Sequence, residues 1–452
     1  MCGMSSRLSL PSSIHPAGPR CAPRFCSSAW CRRNPSEPNM STCSLEQARG
    51  SNYGKAHRLT SSTRGNKASM RVIHLYKDYF PILGGIENHI RALAEAQARM
   101  GLEVIVLVTS PSRKTMELRD GSVRVLKASR WFTVASTPLS LAFFLYARRF
   151  LPQADLIHLH HPYPPAEIAY LMSGGNRPAV LTYHSDIVRQ RLSGRLYRPW
   201  LYRVLGRVAR ILVTSPVYLE TSPHLQAFRD KCRVVPLGID VARFLTAPPE
   251  APRALRSSWC SAPHRPHALF VGRLRYYKGL DTLLQTLTRL PDLHVTIVGT
   301  GPMERAWRTL ARDLRVSDRV HFLGEVPDPE LPLVYHAADL FVLPASARAE
   351  AFGTVLLEAM AAGLPVVTTE IGTGTTWVVG GAGWIVPPRD PEALAEAIRE
   401  ILAHPEAARA RGRQGQERVR REFTLEKMAQ RVLEIYEEVL HQAASQSASP
   451  NP

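Results

Sequence analysis

From Met70 onward, short apolar runs alternate with longer stretches of helical period, and the whole pattern occurs twice. The first set of runs is Val72–Leu75, Val104–Val108, Leu156–Leu159, Val180–Tyr183 and Ile211–Thr214, with Val234-Val235-Pro236 closing it. The second is Ala268–Val271, Val295–Val298, Val320–Phe322, Leu340–Leu343 and Val366–Thr368. Runs this short and this continuously apolar are strands buried on both faces. Helices are expected between them, over about Ile86–Met100, Gly279–Leu290 and Thr354–Ala362. Alternating strand and helix predicts α/β sheets of parallel strands with helices on both sides. A Pro-, Ala- and polar-rich stretch over Thr246–His264 separates the two sets. The chain is therefore expected to form two Rossmann-like doubly wound domains facing across a cleft, over residues 70–240 and 241–424. A last helix over 425–441 crosses back to the first domain, and 442–452 is a disordered tail. Such sheets bind ligands beyond the carboxyl ends of their strands.

Length and composition set the bounds. The 452 residues suit two ordinary domains, and 21% charged residues is ordinary for a globular chain. The net charge of +19 is not, and it points to an anionic partner such as a membrane surface, a nucleic acid or a phosphate-bearing substrate. Apolar runs never reach the ~18 residues that a spanning helix needs. The nearest, Leu139–Ala147, is short and ends at Arg148 and Arg149. Five cysteines (Cys2, Cys21, Cys26, Cys31 and Cys43) crowd the first tenth, and only Cys232 and Cys260 follow. The body is thus not a disulfide framework, which fits a cytoplasmic protein. Residues 1–69 are rich in Ser, Pro and Arg and lack hydrophobic period, as expected of a disordered tail. A start of translation at Met70 is the preferred reading, ahead of a genuine tail or a transit peptide.

Four constellations carry chemistry. Glu350-Ala351-Phe352-Gly353-Thr354 leads into a helix that bears Glu358. Unpaired N–H groups at Gly353 and Thr354 suit a diphosphate at the helix start. Glu358, one turn on, is placed for vicinal hydroxyls such as a ribose, and Glu350 for a sugar hydroxyl. The bland alternative makes both acids solvated surface groups. The second constellation, Gly272 to Gly279, follows a strand, so Arg273 and Lys278 suit the charge on a leaving nucleoside diphosphate. In the third, Gly84 and Gly85 between a first strand and helix permit close approach of phosphate or sugar. It is not the six-position dinucleotide fingerprint, which argues against NAD. His89 reads as a helix residue only. The fourth, Leu181 to Asp186, ends a strand and would aim His184 into the cleft. His158, His160 and His161 crowd another strand end and read as acceptor-side lining rather than a metal cluster.

In this order and at these strand ends, the residues resemble the retaining GT-B glycosyltransferases of family 4, the glycogen-synthase-like and phosphatidylinositol-mannosyltransferase-like group. The resemblance spans Met70 to about Leu440. It rests on Gly84-Gly85-Ile86-Glu87, Tyr183-His184, Gly272-Arg273 with Lys278-Gly279, and the seven-residue spacing from Glu350 to Glu358. It implies the GT-B fold, retention of anomeric configuration, and no cofactor or metal. It also implies residue roles: Gly85, Arg273, Lys278 and the amides of Phe352–Thr354 on the diphosphate, Glu358 on the ribose, Glu350 on the donor sugar, His184 beside the reacting sugar, and the loop at Glu325-Val326-Pro327 flanking the base. One departure is Ala351, where many relatives have Gly, which demands ordinary backbone angles there. The segment Glu370 to Trp377 looks like bacterial mannosyl- or rhamnosyltransferases of surface polysaccharides.

No nucleophile and acid–base pair emerges for double displacement, so front-face attack is expected, with the leaving phosphate taking the acceptor's proton. Expected partners are a nucleotide-sugar donor and a glycan or lipid-linked acceptor, with no nucleic acid. Arg189–Arg210 has seven arginines, no acid and interleaved Leu, Tyr and Trp residues. It suits an anionic membrane surface, hence peripheral attachment to the inner face of the cytoplasmic membrane. Pro199 predicts two short helices there. The alternatives are a nucleotide-sugar epimerase on the same fold and a non-catalytic sugar-nucleotide binding protein.

Overall fold

A computed structural model describes residues 69–82, 84–134, 137–187, 191–248, 250–259 and 262–448. Expectations for residues 1–68, Leu83, Arg189, Gln190 and 449–452 lie outside the described residues.

The first lobe carries β1 (Arg71–Leu75), β2 (Glu103–Thr109), β3 (Met116–Asp120), β4 (Val123–Ala128), β5 (Phe132–Val134), β6 (Thr137–Leu139), β7 (Leu156–His161), β8 (Ala179–Tyr183), β9 (Arg210–Val213) and β10 (Cys232–Val234). Its helices are α1 (Gly85–Arg99), α2 (Leu141–Phe150), α3 (Pro164–Ser173), α4 (Arg191–Arg207) and α5 (Pro216–Thr221). Eight strands form one sheet in the order β10-β9-β8-β7-β1-β2-β4-β3, with only β3 antiparallel, while β5 and β6 make a separate ribbon. The second lobe carries β11 (His267–Val271), β12 (His294–Val298), β13 (Val320–Gly324), β14 (Leu340–Leu343), β15 (Val366–Thr369) and β16 (Trp384–Val386), parallel in the order β13-β12-β11-β14-β15-β16. Its helices are α6 (Glu250–Trp259), α7 (Leu280–Thr286), α8 (Glu304–Asp313), α9 (Leu331–His336), α10 (Thr354–Ala361), α11 (Gly374–Val379), α12 (Pro391–Ala403) and α13 (Pro405–Glu422), and α14 (Leu425–Ala448) follows.

The two-fold alternation thus becomes two doubly wound sheets. Central strands β1, β8, β11 and β14 are buried along nearly their whole length. The order reverses beside β1 in the first sheet and between β11 and β14 in the second. Loops after those strands splay apart at the reversal and leave a crevice for ligands.

The chain passes between lobes twice at one place. Ile239 bridges Thr424, with the Ile239 N–H on the Phe423 carbonyl at 3.0 Å and the Leu425 N–H on the Ile239 carbonyl at 2.9 Å. Gly238 makes this approach possible, since a methyl group there would sit 2.3 Å from the Thr424 carbonyl oxygen. Beyond the crossing, α14 packs on α1 of the first lobe. It runs to Ala448, further than the expected end near 441, so residues 442–448 are helical rather than a disordered tail. Ala443 and Ala444 favour helix, and Gln442 receives an Arg210 guanidinium bond at 3.1 Å.

Other expectations need correction. The strand placed at Val234–Pro236 is Cys232–Val234, and the Gly279–Leu290 helix is α7 followed by a tight 3-10 turn over Leu287–Arg289. Pro199 does not divide its segment. It lies inside one continuous helix, α4, because Leu201, Val204 and Leu205 bury themselves beneath it and offset the single hydrogen bond proline forfeits.

Candidate active site

The site's donor half is built from the loops after β11 and β14. In the left-handed region at φ 77°, Gly353 starts α10 in a conformation that a side chain would strain, and a methyl group there would meet Leu356 Cδ1 at 2.9 Å. Helix geometry leaves the N–H groups at this start without intrahelical acceptors. Ala351 keeps ordinary backbone angles, and its carbonyl receives the Gly374 N–H at 2.8 Å, so the alanine is accommodated without a left-handed residue.

Lys278 and Glu350 are both buried and pair at 2.6 Å. Burial opposes the Lys278 ammonium, but Glu350 beside it, together with Tyr277 and Glu358, offsets that and holds it above its usual range. The sequence reading assigned them separately to phosphate and sugar, whereas here they form one unit. Arg273 is exposed, and its side chain has no hydrogen bond or ion pair among the described residues. Glu358 is half-buried and accepts the Tyr335 hydroxyl at 2.6 Å. Burial pushes its carboxyl up to about 7. Near it, the loop after β13 carries Val326, half-buried, and Glu325, which accepts the Thr300 hydroxyl at 2.8 Å.

The first lobe supplies Gly84 and Gly85 at the start of α1, opposite α10. A methyl group on Gly85 would lie 3.7 Å from Thr354 Oγ1, so the two glycine loops meet across the cleft. The lobes touch elsewhere too. Arg348 reaches Asp186 at 3.4 Å, donates to the Gly372 carbonyl at 2.6 Å and stacks over the Tyr218 ring. Thr221 also donates to the Gly372 carbonyl, at 2.9 Å. Burial raises the Glu87 carboxyl above its usual range, against the pull of Lys77 and, from the second lobe, Arg273.

His184 follows β8 and is buried. Its ring lies nearly parallel to that of His160 and meets it edge to edge, with His184 Nε2 and His160 Nδ1 3.1 Å apart. His160 Nε2 lies 3.0 Å from His74 Nδ1, and His74 Nε2 lies 2.8 Å from the Gln97 carbonyl oxygen. His158 bonds Tyr436 of α14 and Thr182, and His161 bonds Glu167. Thus His158, His160 and His161, expected to line the acceptor side, are buried, because β7 is an inner strand between β1 and β8 and is covered along its whole length. His89 is more than a helix residue: it is buried edge-on against His160 and His184. Three histidine groups among the described residues have ligand atoms close enough to hold a metal: His74, His158 and His160; His89, His160 and His184; and His267, His294 and His321. Sequence reasoning missed Gln97, Tyr335, Arg348 and Tyr436, which only their tertiary partners single out.

Residues 83–243 match the family described as Glycosyltransferase Family 4, and residues 254–418 match Glycosyl transferases group 1. The chain is 38% identical to D-rhamnosyltransferase WbpZ of Pseudomonas aeruginosa, over 78% of this chain and 92% of that protein. It is 34% identical to O-antigen chain mannosyltransferase C of Escherichia coli, over 82% and 99% respectively. Among solved structures it is similar in fold to sucrose-phosphate synthase from Thermosynechococcus elongatus, with TM-score 0.70, 24% identity and coverage of 82% of this chain and 100% of that one. It is likewise similar to WaaG, a glycosyltransferase involved in lipopolysaccharide biosynthesis, with TM-score 0.63, 19% identity and coverage of 81% and 99%. These matches give the epimerase alternative no support. Two doubly wound sheets meeting at the carboxyl ends of their parallel strands, with full-length relatives that are transferases, make this chain a GT-B glycosyltransferase of family 4, which takes its sugar from a nucleotide-sugar donor.

Proposed function

We propose that this enzyme transfers mannose, or a closely related hexose, with retention of configuration, to a glycan or lipid-linked acceptor in cell-surface polysaccharide synthesis. The observation that carries the reading is the juxtaposition of the two glycine loops at Gly85 and Thr354 in a chain whose relatives transfer rhamnose and mannose. In this reading the diphosphate lies on the amides of Phe352, Gly353 and Thr354 and against Gly84 and Gly85. Arg273, with no partner of its own among the described residues, takes the charge that develops on the leaving phosphate. Lys278 reaches the same phosphate while held by Glu350, which faces a donor-sugar hydroxyl. Glu358 accepts from the ribose, Val326 flanks the base and His184 stands by the reacting sugar. This reading assigns the stabilisation of the leaving diphosphate to the protein's own cations, Arg273 and Lys278, rather than to a metal. The acceptor oxygen forms its bond to the anomeric carbon on the face the diphosphate leaves, and its proton passes to the departing phosphate.

The test is a thermal-shift screen with GDP-mannose, UDP-glucose, UDP-GlcNAc, dTDP-rhamnose and NAD, followed by transfer assays with the donor that binds. Selective stabilisation by GDP-mannose is expected; stabilisation by none of the sugar nucleotides, in a folded protein, would overturn the reading.

The acceptor side supports an anionic membrane as the place of work. Helices α2, α3 and α4 lie side by side on the first lobe. Leu145, Met172, Leu196 and Trp200 are exposed there, beside the exposed Arg148, Arg149, Arg198 and Arg203. Apolar groups among exposed cations suit the interface of anionic lipid. Among the described residues no helix is long and apolar enough to cross a membrane. The expected outcome is flotation with phosphatidylglycerol vesicles and none with phosphatidylcholine alone; equal recovery from both would count against it.

A further inference from the structure

We propose that Gln97 and Tyr436 are positioning residues that set the tautomer of His184, so that Nε2 carries its proton and Nδ1 meets the donor sugar as a hydrogen-bond acceptor. The functional half of this rests on the placement of His184 beside that sugar.

The argument is one of donors and acceptors. The rings of His74, His160 and His184 are buried, and their hydrogen-bond partners among the described residues are one another and the Gln97 amide, with no carboxylate to hold a charge, so all three rings are taken as neutral. A neutral imidazole has one N–H and one bare nitrogen, and fixing either end fixes both. The Gln97 carbonyl oxygen can only accept, so His74 Nε2 carries the proton across that 2.8 Å contact. His74 Nδ1 is then bare and accepts from His160 Nε2 at 3.0 Å. His160 Nδ1 is bare in turn and accepts from His184 Nε2 at 3.1 Å. The last ring is left with a bare Nδ1. At the other end, the Gln97 amide nitrogen donates to the Tyr436 hydroxyl at 3.0 Å. That hydroxyl lies 2.5 Å from His158 Nδ1, to which it donates, and His158 Nε2 reaches Thr182 Oγ1 at 2.7 Å.

The whole line is buried, so no solvent competes for its bonds. Turning the amide by half a rotation would reverse every bond in it and put the proton on His184 Nδ1. Gln97 therefore decides whether His184 Nδ1 is bare or protonated, and Tyr436 pins the amide's far end. The tyrosine comes from α14, the helix that returns from the second lobe, so docking of the chain's last element is coupled to chemistry at the end of β8.

The test uses the full chain labelled with nitrogen-15 histidine, His184 being assigned by the signals lost in His184→Gln. The wild type is expected to show His184 protonated at Nε2 and bare at Nδ1. Gln97→Met and Tyr436→Phe, each confirmed as folded by circular dichroism, are expected to mix or reverse that tautomer. They should lower kcat about tenfold while donor KM changes less than about twofold. A wild-type His184 protonated at Nδ1 overturns the proposal. So does an unchanged tautomer in both variants with activity lost, which would be a packing effect, or a changed tautomer with kcat intact. Full turnover by His184→Gln would overturn the role of His184 itself, and the nitrogen spectra distinguish that case from failure of the relay.

Discussion

Two residues at the donor site differ in what surrounds them, and their variants should differ accordingly. Arg273 is exposed and without side-chain partners among the described residues. Removing it costs the fold little, within about 0.5 kcal/mol for a surface change. Arg273→Ala is therefore expected to keep its Tm and lose about a hundredfold or more in kcat, the scale for a donor aimed at transition-state charge. Normal turnover in this variant would remove Arg273 from the mechanism. Glu358 behaves oppositely. Its folded carboxyl titrates at about 7, above the ordinary 4.5, so the folded state favours the proton. Its contribution to stability is full below pH 4.5 and is lost as pH rises through 7, by about 3 kcal/mol. Glu358→Gln should abolish that decline, which thermal melts at pH 5 and pH 8 would reveal; an undiminished slope would mean another group titrates. Sequence spacing brought both residues to the site. It did not anticipate the Tyr335 hydroxyl on Glu358 or the closed pair of Lys278 with Glu350, because partners from other elements are invisible along the chain.

At the scale of elements, the strands that were easiest to read are those buried on both faces, such as Val104–Val108 inside β2 and Leu340–Leu343 as β14. Strand β3, largely exposed, carries no comparable apolar run; β4 has its apolar residues interrupted by Arg124 and Lys127, and β16 is only three residues long, and all three went unread. Helix α4 was readable as amphipathic but not as continuous, since the burial of Leu201, Val204 and Leu205 outweighs the local rule about Pro199. The lobe crossing is the element junction most sensitive to change. Gly238→Ala would force a methyl group to 2.3 Å from the Thr424 carbonyl. The strain is expected to cost about 1–3 kcal/mol, read as a lower urea midpoint with an unchanged slope. An unchanged midpoint would show that the crossing is looser than its hydrogen bonds imply.

At the scale of the molecule, function depends on how the lobes meet. Arg348 ties the second lobe to Asp186 and Tyr218 of the first. Arg348→Ala is expected to raise donor KM roughly fivefold, the equivalent of about 1 kcal/mol for a partly exposed bridge. Its Tm without donor should barely move, because neither sheet's own packing is touched. A large fall in Tm, with donor KM unchanged, would make the contact structural rather than part of closure.

The sequence by itself determined the two parallel α/β sheets, since runs of fully buried strand admit helices on both faces and little else. It also determined which loops carry glycine, cation and carboxylate, because each follows a strand whose carboxyl end opens on the crevice. Tertiary structure alone decided what those groups face: Lys278 closed on Glu350, Gly85 brought to Thr354, and a buried line of imidazoles from Tyr436 to His184. Periodicity reports which side of an element is buried. The identity of the neighbour, often hundreds of residues away, is set only when the elements pack.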